Sequence, residues 1–174
     1  ISVHTKYDVK HDGRHRARVV ANGHLTDVPL ESVYSGVVSL RGLRTCIFLA
    51  ELNDIEPWAT DISSAYLEAY TTEKVCIRAR LEFGELEGNL LIIIKALYVL
   101  FLSGKMFNQL LAECLEGLGF KRSLLDESIF MRPSSCGTAY EYVTTYVDDL
   151  CICVKEPEVL LAQLQGKPYE FDLK

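Results

Sequence analysis

The sequence predicts an α+β fold in which short strands, paired antiparallel, stand between amphipathic helices. Three observations carry that expectation. Asp12-Gly13 separates two extended runs near the N-terminus, apolar residues return at three- and four-residue intervals in two long segments, and two β-rich runs meet at the adjacent acids Asp148 and Asp149. With 174 residues, 49% hydrophobic and 24% charged, the chain has the composition of a folded globular protein. Its length suits one domain or a piece of something larger, and a start at Ile1 rather than Met suggests a fragment or a processed product.

Residues 7–9 and 16–21 flank the Asp-Gly turn and predict a hairpin, a basic β-ribbon. From Ser39, the residues Leu40, Leu43, Ile47, Leu49 and Ala50 form the apolar face of a helix ending near Asn53. Pro57 opens an extended run that leaves Asp61 at a strand end, and residues 62–68 read as a short helical turn. Residues 75–78 and 90–94 read as a strand pair joined by an acidic connection with Gly84 and Gly88. Ser103 is read as the cap of a long helix with Met106, Leu110, Leu111, Cys114, Leu115 and Leu118 on its apolar face and Gly119 as its stop. Residues 128–131 are extended, and residues 140–146 and 150–154 are two strands hinged on Asp148 and Asp149. Residues 159–164 form a last helix, and residues 169–173 alternate like an edge strand.

Composition excludes several classes. The most apolar stretch, residues 90–102, is broken by Lys95 and falls short of the roughly 20 apolar residues a membrane span needs, so it is read as a buried strand running into a turn. No secretory signal pattern is visible, which makes a cytosolic or nuclear setting the default. Six cysteines (Cys46, Cys76, Cys114, Cys136, Cys151 and Cys153) fall at spacings that match no zinc pattern, and Cys151 with Cys153 reads as two small buried fillers on one strand face. The net charge of −6 argues against a simple nucleic-acid coat. Residues 1–24 are nonetheless locally basic, with Lys6, Lys10, Arg14, Arg16 and Arg18, four histidines including His24, and only Asp8 and Asp12 in opposition. A solvated hairpin face and a phosphate-binding one both fit that pattern.

Two adjacent aspartates in a tight turn between apolar strands concentrate negative charge and call for something that neutralises it. Mg²⁺ prefers hard oxygen ligands and few protein carboxylates, leaving the rest of its shell for water and phosphate. Two-metal phosphoryl chemistry needs carboxylates from two chain segments, and Asp61, also at the end of a hydrophobic strand, is the best third member. A polar hairpin tip with Asp61 as a helix N-cap fits the same residues. Spacing alone leaves both open.

The order of motifs resembles the reverse transcriptases of the copia class. Tyr146-Val147-Asp148-Asp149 matches their Y-x-D-D signature, residues 16–21 (Arg-Ala-Arg-Val-Val-Ala) look like K-A-R-L-V-A, and residues 34–38 (Tyr-Ser-Gly-Val-Val) are similar to F-S-P-V-V. Residues 61–67 (Asp-Ile-Ser-Ser-Ala-Tyr-Leu) resemble D-V-x-x-A-[FY]-L, and Lys95-Ala96-Leu97-Tyr98, Leu118-Gly119-Phe120 and residues 126–130 (Asp-Glu-Ser-Ile-Phe) continue the series along nearly the whole chain. The resemblance implies a right-hand polymerase fingers and palm, an antiparallel palm sheet packed on helices, with the thumb absent. Residues 1–60 and 74–98 would be mostly fingers, residues 61–73 and 99–174 mostly palm.

It further implies that Asp61 and Asp148 bind Mg²⁺, with Mn²⁺ as a substitute, that Asp149 completes the site, and that the Ile62 carbonyl helps hold a metal. Tyr66 would lie under the incoming sugar and exclude a 2′-hydroxyl, although an aromatic core residue fits that position too. Arg16 and Arg18 would reach the triphosphate, and Tyr146 and Val147 the primer end. The implied partners are an RNA or DNA template-primer and dNTPs, without a membrane.

Departures from the family pattern cluster after Tyr98, where Val99, Leu100, Phe101 and Leu102 replace a Gly and a polar or basic stretch. Family members also carry Trp near Phe107 and often a basic residue near Met106. The chain ends at Lys174, before the primer grip, thumb and RNase H that such enzymes carry, which suggests that other chains complete it. Two functions follow as expectations: an RNA-directed DNA polymerase domain of a copia-like retroelement, or a remnant kept as a structural or RNA-binding subunit. A phosphoryl-transfer receiver would need regular parallel βα units, which the hairpin at Asp148 opposes.

Overall fold

The computed structural model describes residues 1–22, 35–72, 74–97, 100, 102–135 and 137–174. His24, Tyr34, Tyr98, Val99, Phe101 and Cys136 lie outside the described residues. The chain divides into two compact units, residues 1–34 with 66–107 and residues 35–65 with 108–174.

In the first unit, β1 (Val3–Val9) and β2 (His15–Ala21) pair antiparallel around a five-residue turn. The turn closes through the Lys10 amide on the Arg14 carbonyl (2.9 Å) and the Gly13 amide on the Lys10 carbonyl (2.9 Å), with Gly13 at φ 80°. A second pair, β4 (Cys76–Arg78) and β5 (Leu90–Ile92), is joined by a 3-10 segment, Leu81–Leu86, that kinks at Gly84. Val3, Val75, Ile77, Ile93 and Leu100 form one core cluster here.

This arrangement corrects the reading of residues 90–102 as a buried strand. Leu90, Ile92 and Ile94 are 66%, 62% and 64% exposed, while Ile93 between them is buried. A two-stranded sheet has a core on one face only, so period-two alternation sends every second apolar residue outward.

The second unit is built on a five-stranded antiparallel sheet in the order β3 (Trp58–Asp61), β9 (Asp149–Cys153), β8 (Tyr140–Tyr146), β7 (Ile129–Pro133) and β6 (Lys121–Arg122). One face receives α1 (Leu40–Leu52), whose Ala50 packs with Ile55 and Cys153, beside Tyr142 and Cys151. The Cys151 and Cys153 sulfurs lie 4.0 Å apart on that face, half-buried and buried, as fillers. On the other face, Arg132 donates to the Leu118 carbonyl (2.8 Å) and Arg122 to Asn108 (3.3 Å), which tie the sheet to α2 (Ser103–Gly117). The last helix, α3 (Pro157–Leu164), starts on a proline at its first position, where the missing amide costs nothing.

Helix ends follow local chemistry. Ser39 caps α1 by accepting the Gly42 amide at 3.0 Å, and Asn53 ends it. Asp126 accepts the Ser39 amide (3.0 Å) and the Ser128 amide (3.1 Å), so the loop before β7 anchors the start of α1. Ser103 behaves differently from the expectation: it is the first helical residue, and its hydroxyl donates to the Leu97 carbonyl at 2.6 Å instead of capping. After α2, Gly119 at φ 86° lets the Phe120 amide return to the Leu115 carbonyl at 3.0 Å. The expected edge strand at residues 169–173 shrinks to one bridge, Leu173 against Ile62, because the chain turns through Gly166–Glu170 with Glu170 at φ 53°.

A Cβ on Gly42 would stand 2.8 Å from Ile129 Cδ1 and 2.9 Å from the Asp126 carboxylate, which its two amide bonds hold in place. Overpacking of this kind costs about 1–3 kcal/mol against about 1 kcal/mol of helix propensity gained. Gly42→Ala is therefore expected to destabilise the chain by about 1 kcal/mol in urea unfolding, and a stabilised variant would contradict the packing of α1 on β7 described above.

Candidate active site

Strand register brings the acids together. Asp61, the last residue of β3, is the direct cross-strand partner of Asp149, the first residue of β9, and Asp149 is in turn opposite Tyr146 at the end of β8. Directly opposed residues of an antiparallel pair share a face, so Asp61, Asp149 and Tyr146 form a row along one edge of the sheet face that carries α1. Asp148 and Val147 make the two-residue turn between β8 and β9.

The backbone fixes that turn from two sides. The Ile62 amide donates to the Asp148 carbonyl at 2.8 Å, and Ile62 itself is fully buried. On the outer side of Asp61, its amide and carbonyl exchange hydrogen bonds with Lys174 (3.2 and 3.0 Å), and the Ser63 amide reaches Asp172 (2.8 Å). Val147 sits at φ 58°, a region that a β-branched residue rarely adopts and that costs on the order of 1–3 kcal/mol. Ser63 buries its hydroxyl without a hydrogen-bond partner, which costs about as much as a lost buried hydrogen bond, ~1–3 kcal/mol. Strain and an orphaned polar group thus both fall in segments adjoining the carboxylates.

The row of acids borders a cleft of about 560 Å³ within this unit. Its opposite wall is apolar, with Val38, Leu40 and Leu43, and its floor continues through Ala59 and Cys151. Partial desolvation, then the negative charges of Asp148 and Asp61, hold the Asp149 carboxyl above its ordinary value of 3.8. Asp149, with Asp61 opposite it and Asp148 in the adjoining turn, offers the carboxylate oxygens that a hard cation prefers. Among the described residues no three acidic, histidine or cysteine side chains are grouped closely enough to hold a metal ion as they stand.

The remaining sequence-derived positions belong to the first unit. Arg16 and Arg18 are half-buried on one face of the ribbon, opposite Asp8 and Lys6 in register. Tyr66, in the 3-10 turn Ala65–Glu68, is half-buried and packs edge-to-face on Phe107 at 6.4 Å and 87°. Leu102 is buried and Leu100 joins the core cluster, so two of the four apolar departures after Tyr98 serve packing and are not turned to solvent. Sequence reading missed the strain at Val147, the orphaned Ser63 hydroxyl and the anchoring role of Asp126. An Asp followed two residues later by Ser is a local side-chain-to-amide signal that could have flagged the last. Among the described residues no helix is long and apolar enough to cross a membrane.

The family model that matches the chain is described as reverse transcriptase (RNA-dependent DNA polymerase), and it covers residues 2–174. No solved structure matches the chain.

The raised Asp149 carboxyl binds its proton more tightly in the folded than in the unfolded chain. Its contribution favours the fold below about pH 3.8 and is lost as pH rises through the folded value. Asp149→Asn should therefore be more stable than the parent at pH 7, at the low end of about 0.2–1 kcal/mol because the site is exposed, with the gap closing in acid. Urea unfolding at pH 7 and pH 3.5 checks it, and a variant less stable at pH 7 contradicts the repulsion. Val147→Gly should raise the thermal midpoint by relieving the positive φ, whereas a lowered midpoint would mean that the Val147 side chain contributes more than the strain costs.

Proposed function

The chain belongs to the reverse transcriptase (RNA-dependent DNA polymerase) family, of the Ty1/copia type, and from that premise we propose that it is the polymerase domain of a copia-like retroelement, extending a primer by two-metal nucleotidyl transfer. One observation carries the reading: Asp61 stands directly opposite Asp149, with Asp148 in the adjoining turn, so the acids that match the family's motifs lie at one end of one sheet. We assign the palm to the carboxylate-bearing unit, residues 35–65 with 108–174, and the fingers to residues 1–34 with 66–107, bounds that differ from the division at residues 61, 74 and 99 expected from the family pattern.

The family generally uses Mg²⁺. When bound, the ion supplies Lewis-acid activation of the primer hydroxyl and neutralises charge on the phosphates. Asp61 and Asp148 would hold it from two chain segments, with the Ile62 carbonyl as a neutral oxygen donor, and Asp149 would complete the negative surface. The hydrogen bond from Ile62 to Asp148 keeps those two segments in register during binding. Tyr146 and Val147, at the mouth of the turn, would position the primer end. Tyr66, whose ring is braced by Phe107, would set a rigid floor under the sugar of the incoming dNTP and exclude a 2′-hydroxyl. Arg16 and Arg18 would meet its triphosphate from the basic ribbon face. The contrary reading, a fold kept without polymerase activity as a structural or RNA-binding subunit, rests on Val99, Phe101 and the missing thumb.

Primer extension on an RNA template with Mg²⁺ or Mn²⁺ distinguishes the two. Incorporation is expected from the chain extended through a thumb, with Asp61→Asn and Asp148→Asn each reducing it on the order of a hundredfold or more while leaving the circular dichroism spectrum unchanged. No incorporation in either metal, or an Asp148→Asn variant as active as the parent, would sink the polymerase reading.

A further inference from the structure

The exposed face of α1 carries a second surface, which shares Leu40 with the cleft beside the acids. Leu40 and Phe48 are 60% and 62% exposed there, and with Arg41, Arg44 and Thr45 they line a shallow groove of about 450 Å³. Residues three and four apart on a helix are surface neighbours, so Leu40, Arg44 and Phe48 form a continuous stripe with Arg41 beside it. Neither guanidinium has an ion pair or hydrogen bond among the described residues, whereas Arg122 and Arg132 of the same unit are both engaged. Two unpaired cations flanked by exposed apolar side chains select a partner that is both acidic and apolar.

The chain carries such a segment itself. Between β4 and β5, Glu82, Glu85 and Glu87 are exposed alongside Leu81 (78% exposed) and Leu86 (49% exposed). None of the three glutamates has an ion pair among the described residues. Gly84, at φ 56° and ψ −122°, breaks the 3-10 segment and makes it a protruding bend rather than a flat strip.

We infer that copies of this chain associate head to tail, the acidic apolar bend at residues 81–87 of one copy docking on the α1 groove of a second. Leu81 and Leu86 cover Leu40 and Phe48, and Glu82 and Glu85 pair with Arg41 and Arg44. The two surfaces differ, so each copy brings one of each to the association. A contact this small belongs with weak, salt-sensitive interfaces below about 1,200 Å². Leu40 also lines the cleft beside the acids, but Arg41, Arg44, Glu82 and Glu85, the residues varied below, do not.

Sedimentation equilibrium of the chain over a concentration series, at low and high salt, tests it. The parent should show a weight-average mass that rises with concentration, less so at high salt. Arg41→Glu/Arg44→Glu and Glu82→Arg/Glu85→Arg should each weaken association at least tenfold, with melting curves confirming that both fold. An equimolar mixture of the two variants should regain it, because each supplies the surface the other lost. A parent that stays monomeric, association that survives both charge reversals, or a mixture that fails to recover overturns the inference. So does an Arg41→Glu/Arg44→Glu variant that loses nucleic-acid binding while its association is unchanged, which would give the groove to a phosphate backbone instead.

Discussion

Two carboxylates held face to face across a pair of hydrogen-bonded strands are the constraint on which the second unit depends. Asp61 and Asp149 are directly opposed, and like charges in that position oppose the pairing that creates them. The pairing survives because the sheet behind it is secured by other means. Leu150, Ile152 and Val143 are buried, the Ile62 amide clamps the turn at Asp148, and the Asp61 backbone is bonded on its outer side to Lys174. The repulsion is therefore concentrated at one edge and held there, where a cation can relieve it.

The rest of the unit serves to keep that edge in place. α1 forms one wall of the cleft beside the acids, and its position is set by the Ser39 cap, the Asp126 carboxylate and the close approach of Gly42 to Ile129. Farther along the sheet, Glu141 is buried yet fully used: it takes Arg132 at 2.8 Å and the Lys155 amide at 3.0 Å, while Arg132 lies over the Phe120 ring. A buried charge is tolerable only when paired and hydrogen-bonded in this way. The contrast with the carboxylate edge is informative, because there the acids face one another with no cationic side chain among the described residues hydrogen-bonded to them.

Much of this was legible in the sequence, for reasons that differ by element. The α1 boundaries followed from Ser39 and the three- and four-residue spacing of Leu40, Leu43 and Ile47, and the β8–β9 hairpin from two β-rich runs meeting at polar residues. These are local signals. The pairing of Asp61 with Asp149 joins residues far apart in the chain; the strand-end setting of Asp61 made it a candidate, and the order of family motifs singled it out. Residues 90–94 misled because their hydrophobicity does not encode how many strands will cover them, and a two-stranded sheet left Leu90, Ile92 and Ile94 outside. Ser103 misled because its hydroxyl found the Leu97 carbonyl, a tertiary partner that no cap rule anticipates. The positive φ of Val147 was invisible for a similar reason: a β-branched residue gives no local hint that its neighbours will force it there.

The account stands on the claim that Asp61, Asp148 and Asp149 act together as a divalent-cation site. Mn²⁺ binding followed by electron paramagnetic resonance, which reads free ion directly and does not depend on catalysis, tests that claim most closely. The parent chain should deplete free Mn²⁺ in a saturable manner that Mg²⁺ competes away, and Asp61→Asn should abolish the depletion although it lies in a different chain segment from the Asp148-Asp149 pair. Binding that is absent from the parent, or undiminished in Asp61→Asn, would contradict it.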